Sequence, residues 1–305
     1  MGRGGIAGIG ALLGALGAGL YLTVLTGSPG AMILVYLAQL PLFAAGLWLG
    51  VGAAAMAALT ASAVLLAAGG VIAAALFAGL YAAPVVLLVR QALLARNGPE
   101  GALEWYPPGL LTAWLTGLGL AAFAVALVAL GGPHGVEALL RQSLTPVIDA
   151  VVDESAAGRS ALADGLARII PGIVAASWMV MTASAALLAQ GLLARFGMSW
   201  RPTPDLARLT LPIWIPLLFG IAAAAMVVGG AVQFVGISVL IVLAIPFCLA
   251  GLAVLHTLAR RLQRPQIALV TFYVLAGLFG WPLLVVAVLG LIDALFGLRR
   301  RFAQP

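Results

Sequence analysis

Charged side chains are so few in this sequence that those lying inside apolar runs stand out as candidates for chemistry. Lys and Arg together number 15 and Asp and Glu 9. A charge within hydrocarbon is costly, and it is retained where it pairs, lines a pathway or binds something. Asp293 lies in the last apolar stretch, rather less than two helical turns before Arg299. It is placed to pair with an arginine of its own helix end, or with Arg260 or Arg261, near the cytoplasmic interface. The sharper alternative is a gate or coupling residue. His256 lies one turn before Arg260, where a single imidazole suits packing and hydrogen bonding better than ligation. Arg90, near the end of its span, is expected to snorkel.

Uncharged polar residues form a second group. Gln39, Thr60, Ser62, Ser177, Thr182, Ser184, Gln190 and Thr271 all fall within apolar runs, with Gln233 at an edge. They can line a modest cavity or bond helices together. Two loops carry aromatic, proline-rich turns: Glu104-Trp105-Tyr106-Pro107-Pro108-Gly109 and Trp200-Arg201-Pro202-Thr203-Pro204-Asp205. Trp105, Tyr106 and Trp200 suit the headgroup level, and the prolines stiffen the entry to a span. A contact surface for a cytoplasmic partner is the alternative. Pro41, Pro84, Pro171, Pro216 and Pro246 are positioned to bend or break helices, as transporter helices do near a site.

Several chemistries lack their residues. There is no GxxxxGK[ST] and no HExxH, and His134 and His256 are too far apart in sequence to suggest a metal motif. The setting Gly236-Ile237-Ser238-Val239 lacks the surroundings of an intramembrane serine nucleophile. Cys248, the single cysteine, sits in an apolar run and reads as a small buried hydrophobe. No cofactor or metal is expected, and the chain is not expected to be an enzyme.

The elements that must position these residues follow from composition. The chain is 64% hydrophobic and 8% charged, with mean hydropathy +1.19. So few charges cannot cover a water-exposed surface, so the bilayer is the solvent. All the basic residues are Arg, and they sit mostly at span ends, which argues for topology rather than nucleic-acid binding. Spans are expected at about 6–25, 31–49, 51–68, 71–93, 109–131, 169–194, 210–230 and 236–258. The stretch 266–298 would be about 50 Å long as one helix, against a hydrocarbon core of about 30 Å. Gly280-Trp281-Pro282 interrupts it, so two short helices are expected, about 266–279 and 281–298, as a hairpin or re-entrant pair. The fold class is thus all-α, a polytopic transmembrane bundle of about ten helices forming a single integral membrane domain, 1–305.

Charge sets an orientation with both termini in the cytoplasm of a bacterial inner membrane. Arg3, Arg96, the loop with Arg195, Arg201 and Arg208, the Arg260-Arg261 and Arg264 turn, and Arg299-Arg300-Arg301 all fall inside. Segment 132–168 falls outside, carrying Glu137, Asp149, Asp153, Glu154 and Asp164 against Arg141, Arg159 and Arg168. Val136, Leu139, Leu140, Leu144, Val147, Ile148, Val151 and Val152 recur there at helical spacing, giving an amphipathic helix on the outer surface, bent at Pro146. It links two halves or acts as a lid, and Ser160 is the expected cap of the helix that follows. The first span, read as retained rather than cleaved, carries Ala7, Ala11, Ala15 and Gly19 in one four-residue row and Gly10, Gly14 and Ala18 in another. Such rows let helices approach closely, within the bundle or against a partner membrane protein.

Three stretches carry a likeness: Trp105-Tyr106-Pro107-Pro108-Gly109, the run from Pro246 through Gly251 to His256, and Leu289-Gly290-Leu291-Ile292-Asp293 followed by Arg299-Arg300. Together they resemble the YybS-like family of uncharacterised bacterial membrane proteins. That family is distantly similar to the substrate-binding membrane subunits of energy-coupling-factor transporters. The resemblance implies a docking face for a coupling subunit on the first helix, at the spacing of Ala7, Ala11 and Ala15, although such subunits have about six helices, fewer than this chain. The leading expectation is a transport-related component that binds a small molecule. The alternative is a membrane scaffold or assembly partner.

Overall fold

The computed structural model describes residues 2–98, 102–153, 155–205 and 209–299. Glu154, Arg208, Arg300 and Arg301, which enter the charge reading above, lie outside the described residues. The described chain is almost entirely helical, as composition demands. Six helices are long and apolar enough to cross a membrane: Gly4–Thr26, Gly30–Leu49, Val51–Ala92, Pro108–Ala129, Ala156–Arg195 and Gly230–Ala259. A bent pair, Pro265–Phe279 with Pro282–Phe296, passes the same test jointly, and Trp214–Val228 is a shorter apolar helix.

The chain divides into two compact units. The first comprises Met1–Leu115 and Val180–Asp205, the second Thr116–Met179 and Leu206–Pro305.

In the first unit, α1 (Arg3–Leu22) packs on α3 (Leu40–Leu49) and α4 (Val51–Phe77). A short helix, α2 (Pro29–Tyr36), precedes α3, and Ser28 caps it by accepting from the Ala31 N–H at 3.3 Å. Within the expected span 31–49, present as Gly30–Leu49, residues 37–39 form a turn between α2 and α3. Pro41, in the first turn of α3, has no N–H to continue the ladder. The 42-residue stretch from Val51 to Ala92 would be about 63 Å long, about twice the hydrocarbon core. Gly70 divides it with φ 79° and ψ −178°, a conformation that only glycine adopts freely. The break falls between the expected spans 51–68 and 71–93. After a π-turn at residues 78–82 the helix resumes as α5 (Ala83–Ala92).

Tight packing uses the second small-residue row. A Cβ on Gly14 would stand 2.2 Å from the Ala57 carbonyl oxygen, and one on Gly10 2.9 Å from that of Ala53. Gly10, Gly14 and Ala18 are buried, Ala7 and Ala11 half-buried, and Ala15 exposed. Between α5 and α6 (Pro108–Ala129) lies a small antiparallel ribbon, β1 (Ala95–Asn97) with β2 (Leu103–Trp105). Its facing pair, Arg96 and Glu104, is joined at 2.8 Å, a favourable cross-strand charge match.

In the second unit, α7 (Gly132–Val151) is the expected amphipathic helix, continuous through Pro146. It runs antiparallel to the start of α8 (Ala156–Arg195) and is tied to it by Arg141–Asp164 at 2.9 Å, Arg159–Asp149 at 2.8 Å and Arg168–Glu137 at 3.8 Å. The cap is Ser155, not Ser160. The helix starts one turn earlier than expected, so the Ser155 hydroxyl accepts from the Gly158 N–H at 3.2 Å, while Ser160 donates back to the Ala157 carbonyl at 3.0 Å. α9 (Trp214–Val228) gives way to α10 (Gly230–Ala259) at two glycines of positive φ. α10 packs closely on α12 (Pro282–Phe296): a Cβ on Gly290 would lie 1.9 Å from the Phe247 carbonyl oxygen. α11 (Pro265–Phe279) and α12 meet at a bend of 117°. Each has 15 residues, about 22 Å, too short to span alone.

Candidate functional site

In the first unit a buried arginine gathers the two aromatic loops. α8 ends in a Schellman turn: Met198 N–H donates to the Leu193 carbonyl at 2.8 Å, Gly197 N–H to that of Ala194 at 3.2 Å, and Gly197 adopts φ 68°. The turn carries the chain back to Arg201, which is 5% exposed. The guanidinium donates to the Ala92 carbonyl through Nη1 at 3.0 Å and to the Tyr106 carbonyl through Nη2 at 2.7 Å. Ala92 ends α5, whose last carbonyls have no helical donor and carry partial negative charge. Arg201 thus caps that helix from 109 residues away. The amide of Gln190 donates to the Arg201 carbonyl at 2.8 Å, fixing the main chain as well. Tyr106 Oη accepts from Trp114 Nε1 at 3.1 Å, and the Trp105 side chain is half-buried beside it in sequence. Burial lowers the Arg201 pKa from its ordinary value.

The structure therefore brings Gln190 and Tyr106 together, and Arg201 is the residue that joins them. From the sequence Arg201 reads as a topological charge within the Trp200–Asp205 turn, an interfacial anchor or a partner contact, and not as a tie between loops. The signal available was Gly197, a helix-ending glycine shortly before Trp200-Arg201.

A second polar feature in the same unit sits at the helix breaks. Gln39 is fully buried, and its Nε2 donates to the Leu80 carbonyl at 3.4 Å. Pro84 lies four residues beyond Leu80 and cannot supply the N–H that a helix would provide there. Gln39 supplies a donor to that carbonyl. Its carbonyl oxygen, Oε1, is buried without a partner among the described residues. Tyr21, Phe77 and Tyr81 stack within the same region, Tyr21 edge-on to both others at ring separations of 5.2 and 5.1 Å. Thr182 Oγ1 is likewise buried without a partner among the described residues.

In the second unit Asp293 is 5% exposed. Its partner is Arg299, not Arg260 or Arg261. Gly297, with φ 64°, ends α12 and folds the chain back. Arg299 donates its main-chain N–H to Asp293 Oδ1 at 2.9 Å and Nε to Oδ2 at 2.8 Å, and Nη2 also reaches the Leu209 carbonyl. Leu209 in turn packs on Ala250 and Ala253. His256 bonds the Leu252 carbonyl through Nδ1 at 2.8 Å, which makes Nδ1 the protonated nitrogen, since a carbonyl only accepts. Nε2 then faces the Tyr273 hydroxyl at 3.5 Å. No group of three His, Cys, Asp or Glu that could hold a metal occurs among the described residues. Ser238 Oγ is buried without a partner among them, where Gly172 closes on its backbone.

A family model described as a predicted membrane protein family (DUF2232) matches residues 15–294. No curated protein and no solved structure matches the chain significantly.

Proposed function

Taking as premise that this chain belongs to the DUF2232 family of membrane proteins, we propose that it is a small-molecule transport or substrate-binding component, with its site in the first unit at Gln39. One observation carries this reading. Within a lipid-embedded unit, a fully buried amide lies where one segment turns between α2 and α3 and another passes through a π-turn, and its acceptor oxygen has no partner among the described residues. Irregular backbone is tolerated at membrane depth where protein buries it or it lines a site, and transporters bind substrate at broken helices. An unmatched acceptor calls for a ligand with a hydrogen-bond donor or a positive charge. The resemblance to YybS-like proteins and, more distantly, to energy-coupling-factor subunits leans the same way. The reading has no catalytic role for His256 or Asp293, whose polar partners serve as structural ties.

The test is to purify the chain in mild detergent, denature it and identify released small molecules by mass spectrometry. The wild type should release a reproducible donor-bearing or cationic compound, and Gln39→Leu should lose it while remaining folded. An empty wild type, or a Gln39→Leu protein that keeps the compound, overturns the assignment.

A second reading, a scaffold, draws on the outer face of α1. There Ala15 and Gly19 are exposed together with Leu12 and Leu16, next to the half-buried Ala7 and Ala11. Ala15→Leu should abolish co-purification of a partner membrane protein at fixed ratio if that face docks one, and leave the small-molecule content unchanged.

The orientation proposed is a multi-pass protein of the bacterial cytoplasmic membrane with cytoplasmic termini. After Cys248 is replaced, a cysteine at Arg159 should react with an impermeant thiol reagent from outside and one at Trp200 should not. Trp200 is 64% exposed, so protection there reports the side of the membrane. Arg201 is too buried to serve.

A further inference from the structure

We propose that Arg201 seats a phosphate anion, supplied in the bilayer by the headgroup of a net-anionic phospholipid. The inference is independent of the reading at Gln39. Arg201 carries a full positive charge yet, among the described residues, its side chain bonds only neutral carbonyls, those of Ala92 and Tyr106. The helix end at Ala92 offers the equivalent of about half a unit charge, so charge remains to be neutralised. Buried charges are ordinarily paired, and no ion pair among the described residues gives Arg201 a carboxylate. Of the five donors on a guanidinium, the two bonds use two, and the remaining three have no acceptor among the described residues.

The setting is that of a headgroup site. Arg201 follows the end of one apolar helix, α8, and bonds to the end of α5 and to the residues leading into α6. Trp200 is 64% exposed and Trp114 40% exposed, and indoles favour this depth. Arg195 and Phe196 are exposed on the last turn of α8 and just after it. Guanidinium forks match phosphate oxygens in geometry as well as charge, and basic pockets among span ends select anionic headgroups. Arg96, an exposed arginine of the ribbon that follows α5, is already paired with Glu104 and serves as a control.

The experiment uses the full chain in lipid nanodiscs, with native mass spectrometry and amide hydrogen exchange as readouts. Phosphatidylglycerol should be retained at least tenfold over phosphatidylcholine and should protect residues 196–205 from exchange. Arg201→Gln should bring retention down to the phosphatidylcholine level, Arg201→Lys should keep part of it, and Arg96→Gln should leave it unchanged. If inorganic phosphate in detergent gives the same protection without lipid, the anion site stands and free phosphate is its source. Equal retention of the two lipids by the wild type overturns the proposal. So does full phosphatidylglycerol retention by Arg201→Gln. Should Arg201→Gln fail to fold, absence of lipid-dependent protection at 196–205 in the wild type and in Arg201→Lys decides against it.

Discussion

Arg299 in the second unit and Arg201 in the first are built alike: each follows a left-handed glycine at a helix end and reaches a main-chain carbonyl 90 or more residues away. Their charges are handled differently. Arg299 meets Asp293 through three contacts, so charge and counter-charge are buried together. Among the described residues the Arg201 side chain meets only carbonyl dipoles. The first arrangement is self-sufficient, since each partner satisfies the other. The second is mechanically complete and electrostatically open, so it has charge to offer a ligand, as Asp293 does not.

The largest effect should come from breaking the closed pair. Asp293→Ala removes the counter-charge of the buried Arg299 and should cost about 3–5 kcal/mol, read as a lowered unfolding transition in detergent. Removing both charges together, as Asp293→Leu with Arg299→Met, should cost less than the single change. A double variant worse than Asp293→Ala would show that the pair contributes more than mutual compensation. Arg201→Met should cost about 1–3 kcal/mol, because two charge-assisted hydrogen bonds are lost while an incompletely neutralised charge disappears. A loss equal to that of Asp293→Ala would erase the distinction between the two arginines. The smallest effect belongs to the half-exposed pair Arg141–Asp164. Arg141→Gln should shift stability by less than about 1 kcal/mol, and the shift should shrink as salt is raised.

The same contrast explains what could be read from the sequence. Spans were legible because hydropathy is a property of composition, and Gly280 marked a turn because it interrupts an apolar run too long for one span. The Asp293–Arg299 pair was legible as one of several because its members lie six residues apart on one helix end. Arg201 was not, since its acceptors are main-chain carbonyls 95 and 109 residues away, and carbonyls leave no mark in sequence. Gln39 appeared only as one polar residue among several. Its distinction comes from Pro84, a proline whose consequence falls on another helix. On α1 both small-residue rows have identical spacing. Only burial separates the Gly10, Gly14 and Ala18 row, which faces α4, from Ala7, Ala11 and Ala15.

The contact of α10 with α12 has a mechanical corollary. Gly251 and Gly290 set backbone against backbone, leaving no side-chain rotamers there to absorb sliding or tilting. The two helices must therefore travel as one strut. α11 is fastened differently: Ala276 is its one buried residue, and Gly280 joins it to α12. Any swing in this part of the second unit is borne by α11, pivoting about a glycine while the strut stays still.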